Sequence, residues 1–502
     1  MPDTKKEKKE RVKRPPTFAE SILAILALIV CIGGGMTQGW PVQPMLVAGC
    51  VLVTLLAMRC GWTWKELEAA ICVKFSSIVT IVLMNFLIGA IVASLLFSGT
   101  VPYLVTLIVK IMNPKFIYLI TFLVCCLFSV VTGTSWNTAA TVGIAMFAVA
   151  EAIGASLPIT VAAIVGGASF GDKLSPVSET TNLAPLCAGT DVFSHVRSML
   201  WTTLPAAVVA IIFYAILGMR GNMGTTTVDM GTKLSADLNT IFPHLNIICL
   251  IPALIIVGGL LFKGSAMPIL TLSMISAVFI GVLVEGFKIG DAFAGMMGGM
   301  QLTYYGLPEN AADKVLDATS RILQRGGMNG MASTNITVCA GYVYAAIAGA
   351  VGFLQTAMRP MINIVKGSRV KLIFCTLLSD LIVIGCSGAS YAAHIIVCEV
   401  FKKEYIDQGL QMRVLSRTLE DVGTMWTCFL PWTATGAFYI GLFGVNVWGH
   451  GGYGIYNINC LLSPVMAMIL AITGIGMFKM TPEEQKAELD KYNELQKEME
   501  NA

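Results

Sequence analysis

The residues of this chain that could do chemistry fall in two clusters of hydroxyls, amides and carboxylates embedded in apolar sequence. The first begins at Gly133-Thr134-Ser135-Trp136-Asn137-Thr138 and resumes over 166–185, GGASFGDKLSPVSETTNLAP, with Asp172, Ser175, Ser178, Thr181 and Asn182. The second begins at Ser387-Gly388-Ala389-Ser390-Tyr391. It resumes over 415–424, LSRTLEDVGT, and runs on through Thr427 to Pro431-Trp432-Thr433-Ala434-Thr435-Gly436. Hydroxyl and amide oxygens of Thr134, Ser135, Asn137, Ser175, Ser178, Thr181 and Asn182 can replace water around a small hard cation such as Na+. Gly and Pro unwind the backbone there, so that free carbonyls join them. Asp172 and Asp421 add negative charge that either Na+ or a proton can neutralise, and that exchange is the chemical basis of sodium/proton coupling. A structural alternative pairs Asp172 with adjacent Lys173, and Asp421 with Arg417 one turn earlier. Glu179 and Glu420 are expected at the membrane interface. Glu151, Glu285, Asp380 and Glu399 sit beside apolar runs as helix-end charges, with Asp380 the least comfortable there.

The two clusters resemble each other. Gly133-Thr134-Ser135-Trp136 answers Gly388-Ala389-Ser390-Tyr391. Setting Pro185 against Pro431 brings Ser175 opposite Asp421, Ser178 opposite Thr424 and Thr181 opposite Thr427. A weak internal repeat with broken helices in matching positions points to the binding site of a secondary transporter. Ser390, Thr424 and Thr427 thereby join the candidate site residues.

The elements that must position these clusters follow from composition. Of 502 residues, 56 % are hydrophobic and 13 % charged; eleven charges lie in the first twenty residues and eleven in the last twenty-four. What remains cannot cover the surface of a soluble domain. A soluble enzyme, a nucleic-acid binder and a disordered chain are excluded, and the chain reads as an all-α polytopic membrane protein. Residues 21–58 carry no charge and hold two spans, with Trp40-Pro41 and Pro44 at the turn. Further uncharged stretches, such as 75–109, 116–150, 198–219 and 422–478, bring the expectation to about ten to thirteen membrane segments. Lengths that suit neither one helix nor two suggest spans joined to re-entrant segments.

Residues 1–17 read as a basic cytoplasmic tail, because Lys and Arg accumulate on that side. Arg59, Lys65 and Lys74, and the cluster Arg359, Lys366, Arg369 and Lys371, are expected there too. The transporter domain spans 18–478, with a first repeat at about 75–219 and a second at about 326–447. Residues 479–502 form a charged cytoplasmic helix. It is announced by the capping signal Thr481-Pro482-Glu483-Glu484 and by Leu489, Tyr492, Leu495 and Met499 at helical spacing.

The fourteen Cys show no metal or disulfide spacing, and those inside apolar runs (Cys31, Cys50, Cys125, Cys126 and Cys249) read as small hydrophobes. The four His (His195, His244, His394 and His450) make no zinc motif. No cofactor is expected. An intramembrane protease lacks its HExxH or Ser–His pair, a potassium-type channel lacks its TVGYG filter, and a primary pump lacks a GxxxxGK[ST] loop.

In three segments the sequence resembles the NhaC-type sodium/proton antiporter family of the ion-transporter superfamily: GTSWNTAATVGIA (133–145), GDKLSPVSETTNLAP (171–185) with HVRSMLWTTLPA (195–206), and 415–432. The resemblance covers about Phe18 to Phe478. It implies inverted-topology repeats whose re-entrant hairpins meet near the bilayer midplane, and Na+-coupled exchange with H+. It also implies binding roles for Thr134, Ser135, Asp172, Ser175, Ser178, Thr181, Asn182, Asp421 and Thr424, with Na+ expected at Asp172, Ser175, Thr181 and Asn182. Asn137 stands where the family usually has Gly, Glu179 where Asp is usual, and Thr433 where a Pro-Trp-Asn sequence is common. Members of the family also move organic acids and amino acids, so a small organic acid or amino acid is the alternative counter-substrate on the same scaffold. The expected setting is the inner or plasma membrane of a prokaryote with the N-terminus cytoplasmic; a homodimer is one assembly open to it.

Overall fold

A long apolar segment in lipid must satisfy every backbone N–H and C=O within itself, and the α-helix does so. The computed structural model describes residues 13–76, 78–111, 113–220, 225–262, 265–307 and 317–501. Among these residues there is no β-strand beyond one isolated antiparallel bridge between Leu410 and Lys479. Eight of the described helices are long and apolar enough to cross a membrane: Phe18–Thr37, Val42–Arg59, Val79–Phe97, Pro114–Thr132, Val192–Arg220, Ala266–Leu283, Met328–Val351 and Arg369–Ser387. Three shorter apolar helices accompany them. The chain is a multi-pass, all-α membrane protein. The basic run at 1–12 lies outside the described residues.

The uncharged stretch 21–58 is the expected helical hairpin. Thr17 opens it with a capping box: its hydroxyl accepts from the Glu20 N–H at 3.3 Å while Glu20 accepts from the Thr17 N–H at 2.9 Å. Arg14 locks Glu20 from outside with two hydrogen bonds of 2.5 and 2.7 Å. At the other end of the chain, Thr481 and Glu484 form the expected capping box for the helix Pro482–Asn501. Gln485 of that helix donates to the carbonyl oxygens of Ile406 and Asp407, which end the helix Ser390–Asp407. Leu489 and Tyr492 pack onto the core; the side chains of Leu495 and Met499 lie outside the described residues.

The centre of the molecule is built on close approach between Ile117–Thr132 and Leu157–Leu174. The Ser129 hydroxyl donates to the Ala168 carbonyl at 2.5 Å. A Cβ on Gly171 would stand 2.3 Å from the Val130 nitrogen and 2.5 Å from the Ser129 carbonyl carbon. Small residues let helix backbones meet in this way. Gly171→Ala is therefore expected to force the two helices apart, at an overpacking cost of about 1–3 kcal/mol. A lower unfolding temperature and a smaller monodisperse fraction of the purified variant will show it.

Long helices break at four places, and they break in pairs. Helix Ile117–Thr132 ends at Gly133 (φ 69°), Thr134 is extended, and a new helix starts at Ser135. Helix Arg369–Ser387 ends at Gly388 (φ 72°), Ala389 is extended, and a new helix starts at Ser390. The left-handed φ favours glycine at both turns. Both glycine N–H groups close the preceding helix with 2.8 Å bonds, to Ser129 and Ile384. The helices that follow break too: Leu157–Leu174 stops before Ser175, and Met412–Gly423 before Thr424. The Ala434 N–H donates to the Gly388 carbonyl at 3.1 Å, so the Gly388 break is stitched to the start of the helix Ala434–Phe443.

Candidate functional site

The four breaks border one cavity of about 360 Å³. Thr134, Ser135, Asn137, Ser169, Asp172 and Ser178 line it from the first cluster, and Ser390, Tyr391, Thr424, Thr427 and Thr435 from the second. Thr80, Met84 and Tyr342 complete the wall, and Trp136, also in the lining, stacks on Phe438 at 4.7 Å between ring centroids. Two carboxylates line the cavity, Asp172 and Glu179; the described lining holds no Lys, Arg or His.

Asp172 is half-buried at the end of helix Leu157–Leu174. Its Oδ1 accepts from the Ser178 hydroxyl at 2.6 Å and its Oδ2 from the Ser135 N–H at 3.2 Å. Two donors thus fix the carboxylate against both breaks of the first cluster. Just after Asn137 the helix widens into a π-turn, Ala139–Gly143, and the Asn137 carbonyl accepts from the Thr141 hydroxyl at 2.6 Å. Such π-turns interrupt the regular ladder and recur at functional sites.

Of the twelve expected site residues, the cavity gathers Thr134, Ser135, Asn137, Asp172, Ser178, Ser390, Thr424 and Thr427. Ser175, Thr181, Asn182 and Asp421 lie outside its lining. Ser175 is fully buried and caps the broken helix. The Thr181 hydroxyl points back to the Asp172 and Lys173 carbonyls, at 3.0 and 3.1 Å, which the broken helix leaves without partners. The Asn182 amide donates to the carbonyls of Pro176 and Ser178 at 2.8 and 2.7 Å. These three side chains hold the break open rather than face the space within it. The Thr424 hydroxyl donates to Glu420, away from the cavity.

Neither of the ion pairs weighed from the sequence forms. Adjacent residues on a helix point about 100° apart, so Asp172 and Lys173 diverge. Lys173 turns inward, fully buried, and its Nζ lies 2.5 Å from Asp421 Oδ1. Ser463 joins them: its hydroxyl accepts from Lys173 at 2.9 Å and donates to Asp421 at 2.9 Å. Asp421 is helical because Met412–Gly423 continues past it, so it faces Lys173 across the molecule. Arg417, also fully buried, donates instead to the Gly476 carbonyl at 2.9 Å. Glu420 is not interfacial but fully buried, with Oε1 3.5 Å from His394 Nε2. Glu179 is exposed and accepts from the Tyr391 hydroxyl at 2.7 Å, a bridge between the two clusters. Sequence reasoning missed the roles of Lys173, Ser463 and His394; adjacency had hidden the first, and nothing local marks the others.

Thr433 shows why the chain tolerates its departure from Pro-Trp-Asn. Its hydroxyl donates to the Thr427 carbonyl at 2.7 Å and accepts from the Gly436 N–H at 3.0 Å, capping the helix Ala434–Phe443 as an Asn would.

The cavity wall gives a test of access. Cysteine at Ser135 or Ser390, in a background without reactive native Cys, is expected to react with small hydrophilic thiol reagents and to be protected by Na+. Both positions staying inert in the absence of ligand will mean that the wall is dry packing.

Broken helices meeting at a polar, carboxylate-bearing cavity within a polytopic helical protein define a secondary transporter. The sequence profile of the Na+/H+ antiporter family matches residues 12–181 and 167–475, and the chain belongs to that family. It is 29 % identical over 469 residues to an uncharacterized Na+/H+ antiporter of Haemophilus influenzae, covering 93 % of this chain and 98 % of that one. Identity is also 29 % to the Na+/H+ antiporter NhaC of Alkalihalophilus pseudofirmus, over 92 % of this chain and 96 % of the relative. The malate-2H+/Na+-lactate antiporter of Bacillus subtilis is similar to the same degree, 29 % over 87 % of this chain and 91 % of its own. The NhaC-type resemblance read from the three motifs is therefore borne out.

Proposed function

We propose that this protein exchanges Na+ for H+, and that the two ions compete for the Asp172 carboxylate. The observation that carries the reading is the cavity wall: two carboxylates, a row of hydroxyls, one amide, and no cationic side chain among the described lining residues. Such a surface attracts a cation and repels an anion. Asp172 is the better placed of the two carboxylates, because Ser135 and Ser178 orient it while Glu179 is taken by Tyr391. The hydroxyls of Thr134, Ser135 and Ser178 and the amide of Asn137 line the same cavity as neutral oxygen donors. Exchange then needs no second charge, since Na+ and a proton each neutralise Asp172, and each leaves when the other arrives. The two similar pairs of breaks support inverted repeats that rock about this point, with the N-terminus on the cytoplasmic side.

Competition fixes the sign of the pH dependence. Binding Na+ releases a proton, so acid weakens apparent Na+ affinity, and by linkage Na+ weakens proton binding by the same factor. In liposomes with an imposed Na+ gradient, the apparent Na+ constant is expected to rise at least about tenfold per pH unit on the acid side, the slope that displacement of one proton sets. A constant that stays flat or falls on acidification will replace antiport at one site with separate sites or symport.

The cavity volume favours a second reading. A space of about 360 Å³ far exceeds a bare ion and sits at the lower end of small-molecule pockets. One relative exchanges malate and lactate, so a small organic acid accompanied by Na+ is the alternative cargo. Proton movement in solute-free liposomes separates the two readings.

A further inference from the structure

Behind the cavity, beyond Thr424, lies a group of ionisable side chains that neither the Asp172 site nor the Lys173–Asp421 pair uses. Asp380, His394, Glu420 and His195 come from four different helices, and all are fully buried. No side chain hydrogen-bonds to the Asp380 carboxylate, His394 Nδ1 has no partner, and His394 Nε2 meets only Glu420 Oε1, 3.5 Å away. The two side chains converge on Gly423. A Cβ there would lie 2.9 Å from His394 Nδ1 and 3.0 Å from Asp380 Oδ2, and 2.2 Å from His394 Cε1. Only a glycine leaves room for imidazole and carboxyl to face one point. No cluster of three or more ligands suited to a metal exists among the described residues. The species that fits is a proton.

Charge balance says how many. A buried carboxylate with no side-chain donor is strongly disfavoured as a free anion. Two buried cations, Lys173 and Arg417, stand against two buried carboxylates, Asp421 and Glu420, with Lys173 bonded to Asp421 and Arg417 in its field. Asp380 and His394 then form a neutral pair only if they hold one proton between them. The groups facing that pair are Glu420 on Met412–Gly423 and, through Glu420, His195 on Val192–Arg220 and Asp172 on Leu157–Leu174. Lys173 and Arg417 act on His195, and Tyr405, on the His394 helix, bonds to Thr376.

We propose that Asp380 and His394 form a second proton-binding site, which gives up its proton when Na+ occupies the cavity, with Glu420 and Thr424 lying between the two. Thr424 lines the cavity and donates to Glu420, and Glu420 meets His394, so the cavity and the pair are joined through one hydroxyl and one carboxylate. The coupling rests on the reading of Asp172 as the Na+ site.

The test counts protons. Purified protein in lightly buffered detergent solution receives saturating Na+, a pH dye reports protons released, and equilibrium dialysis with radioactive Na+ reports ions bound. Asp380→Asn and His394→Gln are expected to bind Na+ and to release about half as many protons per ion as the unmodified protein. Release per ion equal to that of the unmodified protein in both variants overturns the proposal. Asp172→Asn tests the other reading separately: normal Na+ binding there sinks the Asp172 assignment and says nothing against the pair. Should the Asp380 and His394 variants aggregate, unmodified protein labelled with nitrogen-15 histidine decides. One of its four imidazole signals is expected to shift on Na+ addition, as the proton shared with Asp380 leaves. Four unchanged imidazoles overturn the proposal.

Discussion

Asp172→Asn is expected to abolish Na+-coupled transport while the protein inserts, purifies and elutes as before. The amide preserves the shape of the carboxyl and can still accept from Ser178 or the Ser135 N–H, so packing changes little. What it removes is the charge. At a hard cation–oxygen distance of about 2.4 Å and an effective dielectric of about 20, that attraction is about 7 kcal/mol before dehydration of the ion is subtracted. If only a third of it survives as net binding, the loss is a factor of about 50 in Na+ affinity. The proton that Na+ must displace is gone as well. Liposome assays of Na+-driven pH change, run beside Na+ binding on purified protein, separate loss of affinity from loss of exchange. Normal exchange in the variant would falsify the assignment of Asp172.

The second large effect is expected on stability. Lys173 and Asp421 join the first broken helix to the second across the interior, with no exposed surface on either side chain. Breaking a buried pair by removing one partner leaves an uncompensated charge and costs about 3–5 kcal/mol. Lys173→Met alone strands Asp421 with only Ser463 in direct contact, and Asp421→Asn alone strands the ammonium. Each single variant is expected to unfold several degrees earlier on heating, measured with a thiol-reactive dye on the buried cysteines. The double variant, Lys173→Met with Asp421→Asn, carries no stranded charge and is expected to recover most of the loss. A double variant as weak as the sum of the singles would mean that the two residues act independently.

What could be read along the chain was whatever depends on local chemistry. Charge-free runs announced the helices, Thr17 and Thr481 were set to cap theirs, and Gly133 and Gly388 marked turns that a β-carbon disfavours. Eight of the twelve expected site residues meet at the cavity because hydroxyls beside Gly and Pro can face only protein or water at membrane depth. The span count was less legible, since a broken helix and a re-entrant one have the same composition.

Partnership was decided only by the tertiary structure. Sequence adjacency suggested Asp172 with Lys173 and helical spacing suggested Asp421 with Arg417, yet each charge found its partner, or its solitude, on another element. Lys173 reaches Asp421 because adjacent residues on a helix point about 100° apart, so Lys173 turns into the interior where Asp172 faces the cavity. Asp380 looked out of place beside its apolar run, but nothing in the chain ties it to His394. The sequence by itself determined a helical transporter with a Gly- and hydroxyl-rich carboxylate site, because those properties reside in residue types and periods. Which carboxylate faces the cavity, which is neutralised by an ammonium and which shares a point in space with an imidazole depend on helices packed from distant parts of the chain. Burial makes each of those choices cost several kcal/mol, so only the packed structure could fix them.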